Sequence, residues 1–171
     1  PINSYQLLNT ARRTGTKLSI IESGRKINEK MPDHTVELTS NAFKECNKSI
    51  QNSEILILGV SYKPNVKDIQ LSPAEHIIEK FQNLGANVHI YDPNFSSTEV
   101  FGIKVEDNLD DVLSKMDAAV IVTGHDDFKK IEISSFAKMK TPILIDTRGI
   151  IEPQSVKQHN IIFRGLGRGD F

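Results

Sequence analysis

Ile55-Leu56-Ile57-Leu58-Gly59-Val60 is a short unbroken apolar run closed by glycine, and Ser61-Tyr62-Lys63-Pro64-Asn65 leads on from it to Ser72-Pro73. Apolar residues without alternation suit a strand buried on both faces, the kind found in parallel sheets covered by helices. Ser72 suits a helix N-cap and Pro73 the first helical position. Ile77, Ile78, Phe81 and Leu84 then make an apolar helix face, and Gly85 falls just past its end. The pattern repeats downstream. Val88-His89-Ile90-Tyr91 reads as a second strand ending in Asp92-Pro93, Ala118 to Val122 as a third, and Pro142-Ile143-Leu144-Ile145 as a fourth. Ile161-Ile162-Phe163 reads as a last edge strand. Helices are expected over 107–115 and 127–138, with a short strand at Ile103-Lys104-Val105. Strands alternating with helices imply an α/β fold: an open Rossmann-like, mostly parallel sheet with helices on both faces and right-handed crossovers.

Upstream of this run the period is helical. Residues 4–13 carry Leu7, Leu8 and Ala11 on one side, with Gly15 as a stop. Ile20, Gly24, Ile27 and Met31 share one face of a second helix over 17–31. Pro32 is expected to interrupt it, because the residue before proline resists helical geometry. A new helix from Pro32-Asp33 then carries Val36, Phe43, Cys46 and Ile50. The chain therefore divides into an all-α arm over residues 1–53 and an α/β domain over 54–171. Such amphipathic helices cannot bury both faces alone and need a neighbouring domain or subunit.

Composition narrows the class. The 171 residues are 38% hydrophobic and 25% charged, with net charge −1, as in a globular protein. The balance argues against a general nucleic-acid binder. No stretch approaches the roughly 20 apolar residues of a membrane span, and no signal peptide is evident. The single cysteine, Cys46, allows no internal disulfide and fits a cytoplasmic location.

Ligands of open α/β sheets sit beyond the C-terminal strand ends, which points to four places. The loop from Gly59 lacks the later glycines of a dinucleotide fingerprint but carries Lys63 and Lys67. Lys63 offers a cation to a phosphate or a donor to sugar hydroxyls; the alternative is a solvated surface lysine. Arg148, after the fourth strand, suits a phosphate or carboxylate, or else an ion pair with Asp146. Asp92 stands where a ribose-binding acid would stand, but before Pro93 it reads as a turn former. His125-Asp126-Asp127-Phe128 invites an acid–base or metal reading. No second histidine has ligand spacing, so helix capping by Asp126 or Asp127 is expected and no metal site is. Cys46 reads as a small core residue. Phe163 to Gly169 is glycine-rich and basic, suited to closing over an anion or to an exit loop.

These motifs together resemble the UDP-glucose/GDP-mannose dehydrogenase family. Leu58-Gly59-Val60-Ser61-Tyr62-Lys63 through Asp68-Ile69-Gln70-Leu71-Ser72-Pro73 is similar to the family's G-x-x-Y-K-x-x-x-x-D-x-R-x-S-P. Gly85-Ala86, Tyr91-Asp92-Pro93, Val122 to Phe128 and Ile145-Asp146-Thr147-Arg148 follow in the family's order. Pro1 to Tyr5 resembles the end of its C-x-P-x-D segment, and Ile27-Asn28 its central-helix asparagine. The resemblance implies an enzyme that oxidises the C6 hydroxyl of a UDP-sugar to a carboxylate in two NAD-dependent steps. A cysteine holds the sugar as thiohemiacetal and then thioester.

By that alignment the nucleophilic cysteine lies two residues before Pro1, and Cys46 does not replace it. Asn3 takes the position of a catalytic aspartate, where an amide carries no charge. Tyr62, Lys63, Arg148 and Tyr5 are implied to bind substrate. Gln70 replaces an arginine that reaches toward NAD, losing a charge-assisted contact. NAD itself is implied to bind mainly to an N-terminal domain outside this chain, so the chain alone is expected to be inactive. The Pro1–Tyr5 and His125–Phe128 segments resemble most the branch acting on UDP-N-acetylhexosamines, such as UDP-N-acetylmannosamine. A homodimer through residues 4–50 is implied as well. The alternatives are a stand-alone nucleotide-sugar-binding module and a dimerisation module without catalysis.

Overall fold

The computed structural model describes residues 2–168, so Pro1 and Gly169, both invoked above, lie outside the described residues. Five strands form one parallel sheet: β1 (Glu54–Leu58), β2 (Asn87–Tyr91), β5 (Ala118–Ile121), β6 (Ile143–Asp146) and β7 (Ile162–Gly165). Their order is β2-β1-β5-β6-β7. The chain reverses direction across the sheet between β1 and β5, which is the topological switch point of a doubly wound fold. β3 (Glu99–Val100) and β4 (Ile103–Lys104) make a small antiparallel hairpin beside it.

The sheet is buried on both faces, as the apolar runs require. Ile55, Ile57, Ile90, Val120, Ile143 and Ile145 face one core. It is covered by α2 (Ser19–Glu45) and α3 (Pro73–Asn83), through Phe43, Ile77 and Phe81. Leu56, Leu58, Ile121, Leu144 and Phe163 face the other. That core is closed by α4 (Leu109–Leu113), α5 (Ile133–Phe136) and α6 (Pro153–Val156) with Phe128 and Met139. α1 (Ile2–Arg13) lies against α2.

α3 follows its sequence signals. Ser72 Oγ accepts from Ala74 N–H at 3.2 Å, and Pro73 opens the helix. The helix ends with Gly85 at φ +80°, Gly85 N–H bonding Gln82 and Ala86 N–H bonding Phe81, a Schellman closure.

Two expectations are corrected, and a third is extended. Pro32 does not break the helix: α2 runs through it for 27 residues. An internal proline costs ~3 kcal/mol through its lost hydrogen bond and its ring. Burial of Pro32, Thr35, Val36, Thr39, Ala42 and Phe43 beyond it offsets that cost. The helix expected over 127–138 is instead a 3₁₀ turn, Phe128–Lys130, and the single-turn α5, separated by extended Ile131. Phe128 and Phe136 are both buried and anchor the two pieces separately. The strand expected at Ile103–Val105 has a partner that was not foreseen. Its turn places Phe101 and Gly102 at φ +52° and +74°, and phenylalanine is not a residue that signals such a turn.

Candidate functional site

A cleft of about 1000 Å³ opens at the C-terminal ends of the strands, a size suited to a small-molecule ligand. Tyr62, Gln70 and Leu71 from the β1–α3 loop form one wall, with Ser72 and Pro73 at the α3 N-terminus. Thr147 and Arg148 after β6 and Leu166 after β7 form the floor. Tyr5 of α1 and Arg25, Asn28 and Pro32 of α2 close the far side.

Arg148 is exposed, and its guanidinium has no hydrogen bond or ion pair among the described residues. The Asp146 carboxylate, fully buried, is occupied by backbone instead: it accepts from Arg148, Gly149 and Ile151 N–H, each at 2.8 Å. The two residues are therefore not an ion pair. The α3 N-terminus shares the lining with this free guanidinium, and helix N-termini favour anions.

The other sequence-predicted residues divide between cleft and rim. Tyr62, Gln70 and Tyr5 line the cleft. Lys63 and Asn3 do not; both are exposed, and the Lys63 ammonium stands 5.3 Å from the Tyr62 ring centre. Tyr5 is held by α2: its hydroxyl donates to Glu29 and accepts from Arg25 Nη2 at 2.7 Å, while the guanidinium lies 4.4 Å over its ring. The Tyr5 hydroxyl holds the Glu29 carboxyl below its ordinary range. Sequence reading missed Arg25, which resembles any helix-face arginine until α1 folds onto it.

Asp92 and His125 are not ligand groups. Both side chains are about 1% exposed. His125 Nδ1 takes the backbone N–H of Asn65 at 2.9 Å, so the ring proton is on Nε2, donated to Asp92 at 3.1 Å. Asp92 also accepts from Val60 N–H at 2.8 Å and Asn94 N–H at 2.9 Å. The Asn94 bond is the expected turn, and the others tie three strand ends together. Asp126 and Asp127 do not cap a helix: Asp126 pairs with Lys129 and Asn65, and Asp127 with Lys130. Cys46 packs against the core, and burial pushes its thiol pKa up.

Burial alone would raise the Asp92 pKa, but the donors from His125, Val60 and Asn94 outweigh it and hold it below the ordinary value. A lowered native pKa adds stability above the unfolded value, about 3.9, and that stability is lost as pH falls through the native one. Asp92→Asn is therefore expected to be less stable at neutral pH and to show a shallower acid limb. Urea midpoints measured from pH 7 to pH 2.5 check this, and parallel curves would contradict it.

The backbone is closely packed where β1 ends. A Cβ on Gly59 would meet Thr123 Cβ at 2.7 Å and its carbonyl at 2.8 Å. Gly59 thus lets the turn after β1 pack directly against Thr123, just beyond β5.

Residues 56–153 match the family model described as the UDP-glucose/GDP-mannose dehydrogenase family, UDP binding domain. The chain belongs to that family. It is 35% identical over 171 residues to the UDP-N-acetyl-D-mannosamine dehydrogenase of Pyrococcus horikoshii, covering 99% of this chain and 38% of that one. The solved structure of the UDP-D-ManNAc dehydrogenase from Pyrococcus horikoshii superposes with TM-score 0.84 at 34% identity, over 98% of this chain and 37% of that one. An NDP-N-acetyl-D-galactosaminuronic acid dehydrogenase from Methanosarcina mazei does so with TM-score 0.85 at 26% identity, over 96% and 36%. The chain thus spans less than two fifths of these relatives. The expected fold, the family and its N-acetylmannosamine branch are all supported. Among the described residues no helix is long and apolar enough to cross a membrane, and no cluster of potential metal ligands occurs.

Proposed function

We propose that the cleft binds the UDP part of a UDP-N-acetylhexosamine, and that this chain is the substrate-binding part of an NAD-dependent 6-dehydrogenase in the cytoplasm. The free Arg148 guanidinium beside the α3 N-terminus carries the reading, because it offers a diphosphate a planar fork and a helix end in one cleft. Tyr62 supplies an aromatic wall and Lys63 a cation at the rim. Tyr5 faces the sugar end, with Asn3 near it in the aspartate position. The β1–α3 loop lacks the later glycines of a dinucleotide fingerprint, so the proposal does not assign NAD to this domain's own crevice. In the proposal NAD would be held by the family's other domain and would supply the hydride acceptor, with Gln70 the residue of this chain aligned toward it. Oxidation at C6 through a cysteine thioester then needs the residue aligned before Pro1.

Calorimetry of the 171-residue chain tests this directly. UDP and UDP-N-acetylmannosamine are expected to bind at one site, with no NAD reduction. Absence of any UDP response at millimolar concentration would sink the reading, and turnover by the pure chain would refute its division of labour.

The proposal also gives the helical arm, residues 1–53, the role of a homodimer interface through residues 4–50. Ile20 and Ile27 are 89% and 65% exposed on one face of α2, with open space over Gly24 between them. Ile20→Asp combined with Ile27→Asp is expected to convert a dimer to monomer in sedimentation without changing the fold. An unchanged dimer would remove this face from the interface.

A further inference from the structure

The loop that carries Arg148 is held from both sides. From inside, the buried Asp146 carboxylate accepts the Arg148, Gly149 and Ile151 N–H groups. From outside, the guanidinium of Arg168 donates Nη2 to Gly149 O and Nη1 to Ile151 O, both at 3.1 Å. The loop's amides thus close on an anion across residues 148–151, and its carbonyls on a cation across residues 149–151. The chain is shaped for this second grip. A Cβ on Gly165 would lie 3.0 Å from Arg168 Cδ, and one on Gly149 would lie 3.1 Å from Arg168 Nη2. Gly149 also sits at φ +68°, where side chains are strained. On the β5 side, a Cβ on Gly124 would meet Ile150 Cγ2 at 3.0 Å and Arg148 Cβ at 3.3 Å.

We infer that Arg168 is a positioning residue for the anion site: it fixes the 146–151 loop so that the unpaired Arg148 guanidinium is presented to the cleft at a set height and direction. Arg168 does not line the cleft, and its terminal nitrogens donate to loop carbonyls instead. It lies beyond the matched domain, residues 56–153, yet completes a loop inside it. A fork held at both ends restricts the loop before ligand arrives, so binding spends less on ordering it. Lysine is no substitute, because a single ammonium on a flexible stem lacks the planar fork that spans two carbonyls.

The inference takes its ligand from the UDP-binding reading above, and the experiment separates the two. Amide exchange is followed by NMR on the unliganded chain, and UDP is titrated into wild type, Arg168→Gln, Arg168→Lys, Arg148→Ala and the Arg148→Ala/Arg168→Gln double variant. In Arg168→Gln the Arg148, Gly149 and Ile151 amides are expected to exchange faster while strand amides hold their wild-type rates. UDP affinity should fall about tenfold, the scale of one net hydrogen bond. Arg168→Lys should resemble Arg168→Gln, and the double variant should bind no worse than Arg148→Ala alone, because the effect passes through Arg148. Unchanged exchange at the three amides overturns the inference, as does full recovery by lysine or an additive loss in the double variant. If wild type does not bind UDP, the ligand reading falls and the exchange rates alone decide the role of Arg168.

Discussion

Arg148→Ala is expected to weaken UDP binding by roughly 10- to 150-fold, the equivalent of about 1.5–3 kcal/mol for hydrogen bonds to a charged group. The magnitude follows from what the guanidinium does in the free protein, which is nothing: it is exposed and has no partner among the described residues. No internal interaction has to break before it meets a phosphate, and none is lost when it is removed. Unliganded stability should therefore stay within about 0.5 kcal/mol of wild type. Arg148→Lys should recover part of the affinity, since charge survives while the fork geometry does not. Tyr62→Ala should cost less, because Tyr62 contributes a wall and no charge. Calorimetric titration with UDP beside thermal melts of the unliganded variants separates these terms. Wild-type affinity in Arg148→Ala would remove Arg148 from the site.

The strand pattern was legible because parallel strands leave little choice. Ile55 to Leu58 of β1 and each residue of β5 face one core or the other, so the code is uninterrupted hydrophobicity. Local chemistry was equally plain at Ser72-Pro73 and Gly85, where cap and closure involve neighbours in sequence. What was not legible depends on partners far along the chain. Pro32 carries a local signal to stop, and only the packing of Thr35 to Phe43 on the sheet overrides it. Asp92 and His125 looked like separate polar residues after separate strands. The β2-β1-β5 order brings their side chains to 3.1 Å and makes them a brace. Tyr5 was found through its family position and Arg168 only as part of a basic, glycine-rich segment, whereas Arg25 had no local mark. Each acts by reaching across more than fifteen residues, a distance at which a single sequence carries no spacing rule.

Gly59→Ala is expected to be the most damaging single-methyl change in the chain. Two costs coincide there. Gly59 has φ +87°, a conformation that costs a residue with a Cβ about 1–2 kcal/mol. The new methyl would also stand 2.7 Å from Thr123 Cβ and 2.8 Å from Thr123 O, and overpacking of a rigid neighbour costs typically about 1–3 kcal/mol. Thr123 cannot turn away cheaply. Its hydroxyl donates to Ser61 O, its carbonyl accepts from His125 N–H at 3.1 Å, and its own N–H is directed at Leu58 O. Moving it would disturb the strand ends on both sides of the switch point. The sum is about 2–5 kcal/mol, or a fall in Tm on the order of 10 °C for a chain of this length. Thr123→Ala does not test relief, since it leaves a Cβ and the backbone in place. Thr123→Gly in the Gly59→Ala background removes the Cβ clash but keeps the carbonyl contact and the positive φ, so it should restore only part of the loss. Gly85→Ala is the control. It shares the positive φ, at +80°, but its nearest contact is the Gln51 side chain at 3.1 Å, which can swing aside. Its melt should lie between wild type and Gly59→Ala, and a Gly59→Ala melt no lower than that of Gly85→Ala would show that the Thr123 wedge is soft.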